Sequence, residues 1–158
     1  MLQKNIDSNR LNLPEGSGTI QTRELDWTVE PEHWTWTHPS VIGSFDYSNL
    51  DAPTETLRPP FDLILTADTL YCPQLAGPLL RALHTLSSTN RPPIYVALER
   101  RDPRLVDGVL QQARDSWSFS VQRIPDKKVT KAMVKAGCKW DKTEWEGVEI
   151  WKLILQTA

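Results

Sequence analysis

Phe61-Asp62-Leu63-Ile64-Leu65-Thr66-Ala67-Asp68-Thr69-Leu70-Tyr71 decides how the chain is to be read. Residues 61–66 form a short apolar run of the kind that predicts a strand buried on both faces of a parallel sheet. The run stops at a small residue, Ala67, followed by a carboxylate, Asp68, and shortly afterwards a phenol, Tyr71. Leu75, Leu79, Leu80, Leu83 and Leu86 then keep the helical period, with Pro78 set to kink that helix or delay its start. Pro93-Ile94-Tyr95-Val96-Ala97-Leu98 predicts a second buried strand. Glu99-Arg100-Arg101-Asp102-Pro103 follows it and leads into a helix carrying Leu105, Val106, Val109, Leu110 and Ala113. Strand, helix, strand, helix in this order calls for right-handed crossovers between parallel strands.

Further along, residues 117–124 and 148–155 predict two closing strands. The last has Val148, Ile150 and Ile154 on one face and Trp151, Leu153 and Leu155 on the other. No full crossover helix is predicted between them, so an antiparallel edge is expected. The intervening segment, 125–147, is a lysine-rich insertion. Lysines 127, 128, 131, 135, 139 and 142 face one acid, Asp141, within their span. Such a run is ordinarily a solvated face, but a loop leaving the carboxyl end of a parallel strand can also meet an acidic protein or a nucleic acid.

Upstream, residues 1–13 predict a short helix ending at Pro14, and Pro14 to Gly18 predicts a turn. Residues 19–25 predict a strand leading into Asp26-Trp27. Residues 28–60 hold five prolines and little periodicity and predict a long loop, partly ordered by its tryptophans. His33 and His38 flank Trp34 and Trp36 without making a metal set, and the two cysteines, Cys72 and Cys138, lie far apart, so no metal is expected. The arrangement is a doubly wound α/β sheet. Ligands there bind beyond the carboxyl ends of the strands, which would gather Trp27, Asp68 and residues 99–102 on one face.

The chain has 158 residues, 39% hydrophobic and 24% charged, with net charge −2. That is enough for one core, without the charge excess of a general nucleic-acid binder. No apolar run is long enough for a signal core or a membrane span, and the expected location is cytoplasmic or nuclear, without a membrane partner.

Asp-x-x-Tyr at the end of a buried strand, in Ala67-Asp68-Thr69-Leu70-Tyr71, resembles the motif after strand four in seven-strand class I protein-lysine methyltransferases. Further landmarks are similar in the same order: Asn5-Ile6 with Asn9, Glu24-Leu25-Asp26-Trp27, residues 95–101 and Glu149-Ile150-Trp151-Lys152-Leu153. The resemblance covers nearly all of the chain and is greatest to a methyltransferase-like branch with a member acting on a nuclear nucleic-acid-binding protein. It implies a Rossmann-like sheet of order 3-2-1-4-5-7-6, S-adenosylmethionine as cofactor, and a protein substrate presenting a lysine. It gives Asp68 and Tyr71 the task of orienting the lysine amine, Trp27 a place against the adenine ring and Ala67 a place beside the cofactor. Thr66 departs from the glycine often found there in relatives. The alternative reading from the residues alone makes Trp27 a core anchor, Asp68 a helix cap and Tyr71 a half-buried packing residue.

Such a fold also needs a first strand, a glycine-rich turn and an acidic ribose ligand. The one Gly-x-Gly here, Gly16-Ser17-Gly18, precedes a strand and reads as a plain turn. The expectation is therefore a single partial methyltransferase domain over residues 1–158, N-terminally truncated and lacking strands one and two. The sheet should be mostly parallel with an antiparallel last strand, and strand 19–25 should be detached or paired abnormally with strand 61–66. The chain alone should be inactive and bind the cofactor weakly. The competing functions are a catalytically dead interaction module and a small-molecule methyltransferase.

Overall fold

The computed structural model describes residues 2–9, 12, 14, 16, 18–43 and 56–157. The chain divides into two compact units, Met1–Arg58 and Pro59–Ala158.

In the first unit, helix α1 covers Leu2–Asn9, within the predicted 1–13. Strand β1 is Glu24–Leu25 and pairs in parallel with β2, Val41–Ile42, in a sheet of its own. The strand predicted over 19–25 is thus reduced to its last two residues. Extended residues need a partner for their backbone groups, and β2 offers only two positions of ladder. Strand β1 joins neither β3 nor its sheet, and the predicted loop 28–60 contains β2 and a 3-10 turn, Pro31–His33.

Among the described residues of this unit, Trp34 and Ile42 are the buried hydrophobic ones. The Trp34 indole N–H donates to the Val29 carbonyl at 3.2 Å, and its ring meets Trp36 edge-on with centroids 6.3 Å apart. Arg23 lies over the other tryptophan, its guanidinium carbon 5.4 Å from the Trp36 ring centroid, and donates to the Trp36 carbonyl at 3.0 Å. Burial alone lowers its pKa from the ordinary arginine value.

In the second unit the elements are β3 (Ile64–Ala67), α2 (Pro73–Ser87), β4 (Ile94–Glu99), α3 (Pro103–Asp115), β5 (Phe119–Arg123), α4 (Asp126–Lys135) and β6 (Val148–Leu155). They form one four-stranded sheet of order β3-β4-β6-β5. Strands β3 and β4 are parallel, while β6 runs antiparallel to both β4 and β5. Three strands therefore share a direction and the last opposes them, which makes an α/β fold with a mixed sheet. The closing pair, β5 and β6, is antiparallel at this edge as expected, with β6 inside the sheet and β5 outermost. Apolar residues on both faces of β6 suit that inner position.

Ile94, Val96 and Leu98 of β4 and Leu153 of β6 are 0–4% exposed. Helices α2 and α3 cover this face, and Leu80, Leu83, Leu110 and Ala113 line one small interior space with Val96 and Leu153. Burial of this size, about 1.5–3 kcal/mol for each large apolar side chain, holds the layer together. Helix α2 runs through Pro78 without a break and starts at Pro73, with no delay. The proline forfeits one backbone bond, but buried Leu79, Leu80 and Leu83 in the following turns keep the segment on the sheet.

The opposite face of β3 is open. Leu63 is 49% and Leu65 70% exposed, so the run read as buried on both faces is half-buried on one, at Ile64 and Thr66. Among the described residues no strand pairs with the outer edge of β3. The lysine-rich insertion, read as a loop, contains α4 and a 3-10 turn, Lys142–Trp145. Val129 and Met133, four residues apart, are half-buried and give this helix its inward side.

Candidate functional site

The register Ala67↔Ala97 brings the ends of β3 and β4 level, so the chain leaves both strands on one side of the sheet. The Asp68 N–H donates to the Ala97 carbonyl at 3.0 Å, and the Glu99 N–H reaches Asp68 Oδ1 at 3.5 Å. Asp68 has φ +50°, in the left-handed region. Only glycine enters that region freely, and aspartate and asparagine are the side chains that tolerate it best. The turn is tied by a 2.8 Å bond between the hydroxyls of Thr66 and Thr69. Helix α2 is entered through Cys72, which makes no side-chain cap, so Asp68 is not its capping residue. The cap seen nearby belongs to Asp102, whose carboxylate accepts from the Leu105 N–H at 3.1 Å and starts α3.

A cavity of about 420 Å³ opens here, with Asp68, Tyr71, Glu99, Arg101 and Asp102 around it and Leu70 and Leu105 among its apolar walls. The sequence had joined Asp68 and Tyr71, and they do line one space. Tyr71 is 69% exposed rather than half-buried, at the rim of this cavity. Arg101 donates to Glu99 Oε2 through Nε at 2.8 Å and Nη2 at 2.6 Å, and this carboxylate raises the guanidinium above its ordinary pKa. Glu99 is paired to Arg101 and Asp102 caps α3, while Asp68 accepts the Glu99 N–H and lies within electrostatic reach of the Arg101 guanidinium. A carboxylate and a phenol beside two leucines match a cation carried on an alkyl stem.

Ala67 ends β3 next to Asp68 and is exposed, leaving the backbone open to close approach. Trp27 belongs to the first unit, where it is half-buried just beyond β1. Beside it, Asp26 Oδ1 accepts from the Thr28 hydroxyl at 2.7 Å and the Thr28 N–H at 2.8 Å, which hold its carboxyl below the usual range. His38 Nδ1 accepts from the N–H groups of Ser40 and Val41, a loop-forming role. Arg101 fell within residues 99–102, which the sequence had placed on this face, whereas Leu70 and Leu105 were not given a role at the site. The signal for them was topological, since residues just past a parallel strand or at the start of the next helix collect at this edge.

The insertion is anchored at the same end of the sheet. Arg123, at the end of β5, is 3.0 Å from Asp126 and 3.5 Å from Glu149, and Arg100 lies 3.9 Å from Glu149. The Trp151 indole N–H also donates to Glu149, at 2.9 Å. The first turn of α4 is thereby fastened to the ends of β4, β5 and β6.

No protein-family model matches the chain, and no curated protein matches it either. Among the described residues no helix is long and apolar enough to cross a membrane, and no cluster of three or more His, Cys, Asp or Glu could hold a metal ion.

Proposed function

We propose that this cavity receives a lysine side chain of a protein substrate, as the acceptor side of an S-adenosylmethionine-dependent methyltransferase. The observation that carries the reading is the sheet. Its order β3-β4-β6-β5, with β6 alone reversed, is the order 4-5-7-6 that the resemblance implies for one half of a Rossmann-like methyltransferase sheet, and the Asp-x-x-Tyr residues line a cavity at its carboxyl edge. The left-handed backbone at Asp68 adds weight, because strained positions gather where a side chain must be aimed.

The residues present do not form a holder for S-adenosylmethionine. Gly16 and Gly18 both have φ +81°, but they precede β1 and do not join a strand to a helix, and no glycine-rich turn follows a strand elsewhere in the sequence. What this chain contributes is positioning. The substrate ammonium gives its proton to water. The neutral amine then donates one N–H to the Asp68 carboxylate and another to the Tyr71 oxygen, which fixes the direction of its lone pair. Leu70 and Leu105 cover the alkyl stem and limit the amine's wandering. A base of unusual strength is not needed, since orientation and partial desolvation do the work.

The missing glycine-rich turn also favours a second reading, in which the same cavity binds lysine and transfers nothing. Both readings are tested on the chain itself by nuclear magnetic resonance titration with a lysine-bearing peptide, alongside calorimetric titration with S-adenosylmethionine. Peptide shifts at residues 68–71 and 99–101, lost in Asp68→Ala, are expected with very weak cofactor binding. Shifts elsewhere only, or none, would sink the lysine site. Micromolar cofactor affinity would mean that the chain builds a cofactor site after all.

A further inference from the structure

Between residues 127 and 140 the chain carries five lysines and no acid. Lys127, Lys128, Lys131 and Lys135 fall within an arc of about 100° around α4, a single stripe roughly 12 Å long. All four are exposed, while Val129 and Met133 point to the opposite, half-buried side. A solvated lysine face would end there. Here Val134, at the margin of the stripe, is 71% exposed, and Trp140, five residues beyond the helix end, is 66% exposed. Uncovered apolar side chains rimmed by polar ones mark a contact surface.

We infer that this stripe, with Val134 and Trp140, docks an acidic segment of a partner protein that also carries apolar side chains. Charge complementarity selects an acidic partner, and Trp140 and Val134 give its apolar residues somewhere to bury. A polypeptide fits better than a nucleic acid. The basic stripe is short, the chain is net negative, and exposed Asp141, Glu144 and Glu146 follow Trp140 at once, where they would repel a continuous phosphate backbone.

The surface lies at the carboxyl end of the sheet, because β3, β4 and β5 run in one direction and the insertion leaves β5 at that end. Three strand spacings separate β3 from β5, about 14 Å, which an extended peptide crosses in roughly four to five residues. If the proposed lysine site holds, and only then, the acidic stretch of a substrate would begin about that far from its acceptor lysine.

The test uses the whole chain and a fluorescent 15-residue peptide of alternating glutamate and leucine, without lysine, so that failure of the lysine site leaves the result unaffected. Anisotropy should report saturable binding that weakens as salt rises. The triple variant Lys127→Glu, Lys128→Glu, Lys131→Glu should bind about tenfold more weakly, and Trp140→Ala roughly threefold to tenfold more weakly. These side chains face solvent, and unchanged far-ultraviolet circular dichroism would establish that the variants fold. Absence of binding, equal affinity in folded variants, or tighter binding of a single-stranded oligonucleotide of the same length would each overturn the inference.

Discussion

Asp68→Val should destabilise the Pro59–Ala158 unit by about 1–2 kcal/mol, whereas Asp68→Asn should leave its stability within about 0.5 kcal/mol. The backbone at this position has φ +50°. A β-branched side chain there crowds the backbone, at a cost of roughly 1–2 kcal/mol. Asparagine tolerates the conformation nearly as well as aspartate and keeps an acceptor for the Glu99 N–H. That bond is 3.5 Å long and exposed, so its loss in the valine variant adds a few tenths of a kcal/mol at most. Glycine at the same position would relieve the backbone but gain freedom in the unfolded chain, and the two effects nearly cancel. Urea unfolding followed by circular dichroism would check the series. With a slope near 1 kcal/mol per molar for about a hundred residues, the valine variant should unfold about 1–2 M earlier than the asparagine one. If the two midpoints coincide, the backbone at Asp68 is not left-handed and the strain argument fails. Asp68→Asn keeps the fold and removes the charge, so loss of lysine-peptide binding in that variant would be a matter of chemistry alone.

Ile94→Ala, at a fully buried site in β4, should cost about 2–5 kcal/mol, while Leu65→Ala, 70% exposed on the neighbouring strand, should cost less than about 1 kcal/mol. Similar midpoints for the two variants in thermal unfolding would contradict the one-sided core. A proton-detected titration should find the Asp26 and Asp141 carboxyls below the ordinary range, the first held mainly by the Thr28 hydroxyl and the second mainly by the Thr143 N–H. Because both pKa values are lowered in the folded chain, their stabilising contribution is complete above the unfolded value near 3.9 and is lost as pH falls through the folded value. Thr28→Ala should move Asp26 upward, and an unmoved Asp26 would reject the hydroxyl as the main cause.

The main sheet was legible because its strands carry their own pattern. Ile94, Val96 and Leu98 alternate into the core, and residues 148–155 form β6 over the whole predicted span. Residues 19–25 misled because β-propensity says that a segment fits a pleated surface, without saying whether a partner is there to complete it. Helix α4 escaped notice because the lysines dominate its composition, although Val129 and Met133 carried a weak helical period. At the site, Asp68 and Tyr71 were legible from their place after a buried strand. Arg101 was legible as part of residues 99–102, just past a buried strand, whereas Leu105 was legible only as an apolar residue of the following helix. The open face of Leu63 and Leu65 was illegible, since an apolar run looks alike whether one side or both sides are covered.

That open strand has a further consequence for how the protein keeps itself apart from its own copies. The N–H of Ile64 and that of Asp68 donate to the carbonyls of Pro93 and Ala97, so the alternate residues 63, 65 and 67 turn their amides and carbonyls outward. Among the described residues no strand covers this ladder, and an uncovered ladder invites a second strand. Yet two copies pairing antiparallel about Leu65 would set Asp62 of one chain opposite Asp68 of the other, twice over, with carboxylates facing each other at both ends. The aspartate that the lysine site would use therefore also guards the edge. Neutralising both carboxylates, by acid or by mutation, would remove that guard and turn the strand into a seed for fibrous self-association.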